Sequence, residues 1–73
     1  MFIRLFLSNN STFDFITDKY VTVEGFAEDL AMSQTFDKNG HGFYKYGEYL
    51  DFSGMFIKRN DIVAFKQMPE SNA

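Results

Sequence analysis

Phe2 to Leu7 is an almost unbroken apolar run, interrupted by Arg4 and dense in β-formers. Such a run predicts a strand covered on both faces. Ser8-Asn9-Asn10-Ser11 is turn chemistry, because Asn tolerates positive φ and short polar side chains bond back to the backbone. Thr12-Phe13-Asp14-Phe15-Ile16 then alternates, placing Phe13 and Phe15 on one face and Thr12 and Asp14 on the other. Together these segments predict a hairpin.

The period changes at Thr22. Val23, Phe26, Ala27, Leu30 and Ala31 recur at helical spacing and predict a helix from Thr22 to Ser33 with one apolar stripe. Thr22 can cap its start, and Glu24, Glu28 and Asp29 place negative charge where the helix dipole favours it. Asp37 to Gly42 is loop. Strand patterns return at Phe43–Tyr46, Tyr49–Phe52, Met55–Lys58 and Ile62–Gln67, with turns at Ser53-Gly54 and Arg59-Asn60-Asp61. These elements predict an α+β fold in β-β-α-β-β-β order. Its single antiparallel sheet has four to five strands and carries one packed helix. Residues 1–68 form one small domain, and residues 69–73 a loose tail after Pro69.

Composition sharpens this picture. The 73 residues contain no cysteine and one histidine, His41, so disulfides, thiolate zinc sites and His-rich sites are excluded. A chain this short leaves much of its surface exposed, and a lone core supplies only roughly 3–5 kcal/mol of net stability. Ten Phe and four Tyr are more rings than such a core hides, so some should lie at a surface where other molecules are met. The net charge of −3 argues against a general nucleic-acid binder, which needs clustered Lys and Arg. The opening run is too short for a signal peptide, is broken by Arg4 and ends at Ser8-Asn9-Asn10 without cleavage-like small residues, and no stretch approaches the roughly 20 apolar residues of a membrane helix. A cytoplasmic protein is the economical reading.

Three chemistries can be weighed. Phe36 to Glu48 partly matches a calcium loop of the EF-hand type, with Asp37 at position 1, Asn39 at 3, Gly42 at 6 and Glu48 at 12. Asp37, Asn39 and Glu48 would be the ligands. Against it, His41 offers nitrogen at position 5, Lys45 puts positive charge at position 9, and a strand follows where the exiting helix should run. The plainer reading is a polar turn feeding a β-hairpin, with calcium as the alternative and otherwise no cofactor. Catalysis has little to work with: no Cys, and a lone His41 in a glycine-flanked loop without an orienting acid. The chain therefore reads as a non-enzyme. Phe43 to Phe56 holds Phe43, Tyr44, Tyr46, Tyr49, Phe52 and Phe56, and strand-borne rings can stack unpaired bases. Glu48 and Asp51 among them weaken that alternative.

The order strand, strand, helix, strands, ending in Asn60-Asp61-Ile62-Val63-Ala64-Phe65, resembles short uncharacterised proteins of Gram-positive bacteria and their phages. That resemblance implies a β-rich α+β domain, sometimes assembling into dimers or rings, and brings no active site. By analogy alone, phage inhibitors of a host protein are similar in size and acidity. The functional expectation is an interaction module that associates with itself, or with another protein, through an aromatic sheet face or its edge strands. Tyr44, Tyr46, Tyr49 and Phe52 are the candidate contact residues.

Overall fold

A computed structural model describes residues 1–35 and 42–69, with backbone alone at 34–35. The Asn-rich turn forms as its chemistry dictates. Asn10 takes φ 69°, Asn9 Oδ1 accepts from Ser11 N at 3.0 Å, and Leu7 N donates to Ser11 O at 2.9 Å. This joins β1 (Phe2–Leu7) antiparallel to β2 (Thr12–Ile16), with Ile3 opposite Phe15 and Leu5 opposite Phe13. Phe13 and Phe15 stack at 6.3 Å on the inner face. β1 buries Ile3 and Leu5 completely, whereas Phe2, Arg4 and Phe6 on its other side remain half-buried. The strand is thus covered fully on one face, not on both.

α1 (Val23–Thr35) begins just after Thr22, whose carbonyl accepts from Gly25 N at 3.1 Å. Its inward stripe is Phe26, Leu30 and Ser33, flanked by half-buried Val23 and Ala27; Ala31 faces out. Ser33 is tolerated inside because its hydroxyl donates to Leu30 O at 2.6 Å, so its buried oxygen is not left unpaired.

Next come β3 (Tyr44–Tyr46), β4 (Tyr49–Phe52) and β5 (Met55–Lys58), a continuous meander. Each hairpin has a two-residue loop, and each loop carries the backbone that tight turns demand. Gly47 supplies φ 59° in the first, and Ser53 and Gly54 take φ 55° and 96° in the second. Asp51 Oδ1 accepts from Gly54 N at 2.6 Å and braces the second loop.

A 3₁₀ turn at Arg59–Asp61 then redirects the chain into β6 (Ile62–Met68). β6 pairs with β1, not with β5, in a register that shifts at Phe6/Leu7. This overturns the single sheet of four to five strands. The described residues form two three-stranded antiparallel sheets, ordered β2-β1-β6 (the terminal sheet) and β3-β4-β5 (the meander sheet). Local patterning located the strands, but the partner of β6 lies more than fifty residues away in sequence, at β1. The α+β class stands.

Phe26 links the layers. Its ring lies 5.6 Å from Phe15, 5.5 Å from Tyr20, 6.2 Å from Phe43 and 5.1 Å from Phe65, most of these edge-on. Both sheets and the helix share this core, with Leu50, Phe52 and Ile57 from the meander sheet. Arg59 Nε reaches Leu30 O at 3.3 Å and ties the 3₁₀ turn to the helix, and its partial burial lowers its pKa. Tyr20 braces the segment leading into β3: Gly42 N donates to its hydroxyl oxygen at 2.9 Å. Burial, then a hydrogen bond to Asp29, pushes the Tyr20 phenol well above its ordinary value. A Cβ on Gly42 would sit 2.6 Å from that ring, so any larger residue there requires the Tyr20 side chain or the backbone to shift.

Candidate interaction surfaces

Strand alternation sorts the aromatics of the meander sheet. Leu50, Phe52 and Ile57 point into the core, so Tyr49, Asp51, Phe56 and Lys58 must point away from it. On β3, Tyr44 and Tyr46 stand opposite Asp51 and Tyr49 and share their outer face. Four rings therefore cover one side of this sheet, Tyr44 59 %, Tyr46 57 %, Tyr49 47 % and Phe56 53 % exposed. Tyr46 and Phe56 reach across β4 to each other, with ring centroids 5.7 Å apart. Asp51 and Lys58 bring one charge of each sign to the same face.

Three of the residues singled out from sequence, Tyr44, Tyr46 and Tyr49, are thus brought together. Phe52 is not with them: it is 1 % exposed and packs on Phe15 at 5.0 Å and Phe43 at 5.3 Å. It lies two residues from Leu50 on the same strand, and a period of two sends both inward. Phe56 takes the fourth place, and the same alternation, with Ile57 inward, was the signal that could have found it.

The outer face of the terminal sheet is built differently. Arg4 lies between Asp14 and Lys66, and it donates to both Asp14 oxygens, at 2.7 and 2.9 Å. These bonds hold the Asp14 carboxyl below its usual range. Phe2, flanked by Ile16 and Met68, forms an apolar row at one end.

β2 is an edge strand. The inward partner of each of its residues follows from the ladder. Met1 and Thr17 exchange both bonds, at 2.7 and 2.9 Å, and Leu7 N binds Ser11 O. Antiparallel pairs alternate between bonded and unbonded. The odd positions of β2 therefore spend their N–H and C=O on β1, and Thr12, Asp14 and Ile16 aim theirs at the open side. Along that side runs a groove of about 620 Å³, lined by Phe2, Phe13, Phe15, Ile16, Phe52 and Met55 among others.

Of the proposed calcium ligands, Asp37 and Asn39 lie outside the described residues, as does His41. Glu48 sits exposed in the β3–β4 turn, where its carbonyl accepts from Arg59 N at 2.8 Å. Among the described residues no group of three or more His, Asp or Glu side chains converges on one point, and no helix is long and apolar enough to cross a membrane. Comparison with known protein families, characterised proteins and solved structures finds nothing that matches this chain.

Proposed function

We propose that the chain is a non-enzymatic interaction module that associates with a second copy of itself through the outer face of the meander sheet. The observation that carries this reading is the set of four half-exposed rings on one continuous face. Half-exposed rings leave on the order of 400 Å² of aromatic surface open to water. A standard interface removes roughly 800 Å² per partner, so the rings would form the centre of the contact, with its polar flanks supplying the rest. Asp51 and Lys58 suit a two-fold arrangement, in which the acid of one copy meets the base of the other.

Light scattering over a wide dilution range tests the proposal. The native mass should be that of a dimer, falling to a monomer on dilution. Tyr46→Asp should give a monomer at every concentration, with an unchanged circular-dichroism spectrum, since the side chain is not in the core. A wild-type monomer at every concentration, or a dimer that ignores Tyr46→Asp, would sink the reading.

A further inference from the structure

An edge strand offers a row of unpaired N–H and C=O groups, and what it lacks is another extended chain. On β2 these groups belong to Thr12, Asp14 and Ile16 and recur about every 6.8 Å. No hydrogen bond among the described residues takes up their outward backbone groups. Beside this edge, the groove is lined by the core-facing rings Phe13, Phe15 and Phe52, by the turn Ser53-Gly54 and by Met55. Its one charged residue is Asp14, and both carboxylate oxygens of Asp14 are already held by Arg4.

We infer that the open edge of β2 is a docking site for one extended segment of a partner protein, taken on as a fourth strand of the terminal sheet. The geometry selects the chemistry of that segment. Residues facing the core side would meet Phe13, Phe52 and Met55 and must be apolar. Residues facing outward lie beside Thr12, Asp14 and Ile16, where no free charge awaits a partner, so uncharged β-formers such as Thr fit. The occupant is thus a strand with apolar side chains at alternate positions and no charge in its central residues.

A second copy of β2 fits less well. In the antiparallel register that uses all three outward residues, Asp14 would stand opposite Asp14 of the other copy. Each Arg4 lies on β1, behind its own Asp14, so no cation would separate the two carboxylates, and like charges directly opposite destabilise. A shift of two residues avoids this only by losing one of the ladder pairs.

The test uses the whole chain and the peptide acetyl-Lys-Thr-Val-Thr-Val-Thr-Val-Lys-amide at millimolar concentration. Amide exchange is followed residue by residue. In the free protein the Thr12, Asp14 and Ile16 amides should exchange quickly, and those of Phe13 and Phe15 slowly. Peptide should slow the even set about tenfold or more and leave the odd set unchanged. The same peptide methylated on alternate backbone nitrogens should lose this effect. The double variant Thr12→Pro, Ile16→Pro removes two outward N–H groups without touching the ladder to β1, and should fold but no longer take the peptide. Tyr46→Asp should bind it as well as wild type, which separates this site from the aromatic face. Unchanged exchange of the even amides in wild type overturns the inference, whether or not the proline variant folds. So does equal protection by the methylated peptide. Protection that grows with protein concentration alone would overturn it in favour of pairing between copies.

Discussion

The two sheets have equal strand numbers and a common core, yet their outer faces are opposites. The terminal sheet has a charged row at its centre, Asp14–Arg4–Lys66, with half-buried Phe2 and Phe6 on either side of Arg4 along β1. The meander sheet has rings across its outer face and one acid and one base among them. Charge in mid-sheet discourages contact with another face, because its desolvation must be offset. Rings in mid-sheet invite contact. What sets the terminal sheet apart is the apolar groove at its β2 edge. The difference teaches that the residues alternating outward can give two sheets on one shared core opposite outer surfaces.

Breaking the shared core should have the largest effect. Phe26→Ala removes the ring that both sheets and the helix touch, and should cost about 3–5 kcal/mol. That is comparable with the whole stability of a domain this size, so urea titration should find the variant largely unfolded. Phe56→Ala is the matching truncation on the exposed face and should change stability by less than about 1 kcal/mol. If the two variants lose equal stability, the division into core rings and surface rings is wrong.

Gly42→Ala should rank next. Its Cβ would meet Tyr20 atoms at 2.6 to 3.0 Å, and overpacking of this kind costs roughly 1–3 kcal/mol, visible as a lowered denaturation midpoint. A midpoint equal to wild type would mean that the Tyr20 ring moves aside freely.

The pH response sharpens the comparison further. Tyr20 is raised by burial and by Asp29, so folding favours its protonated form. The stability it contributes is complete below the ordinary tyrosine value of about 10 and is lost as pH climbs beyond it. Tyr20→Phe should flatten the alkaline limb of a stability–pH curve. Asp14 has the opposite sign: its carboxyl is depressed by Arg4, so its contribution is present above the ordinary carboxylate value and fades as pH falls through the folded one. Arg4→Gln should return the Asp14 titration, followed by NMR, to the ordinary range. The effect on the melting point should be the smallest of the series, because the pair is exposed. An unmoved Asp14 titration would mean that Arg4 is not what holds it down.

Much of this is legible in the sequence. The Asn-rich hairpin turn, the helix after Thr22 and the loop at Ser53-Gly54 rest on residues within a few positions of one another. So did the gathering of Tyr44, Tyr46 and Tyr49 on one side of a strand pair. Phe52 does not belong with them: it stands two residues from Leu50 on the same strand, and alternation sends both inward.

By itself, then, the sequence determined the elements, their class and the surplus of rings, because helical and strand periods and turn residues act through neighbouring positions. Only the tertiary structure decided that β6 returns to β1 and splits the strands into two sheets. From that one long-range pairing follow the placement of Phe26 at the junction and the edge position of β2. Such a choice depends on which buried surfaces fit together across the whole chain, and no local pattern carries that information.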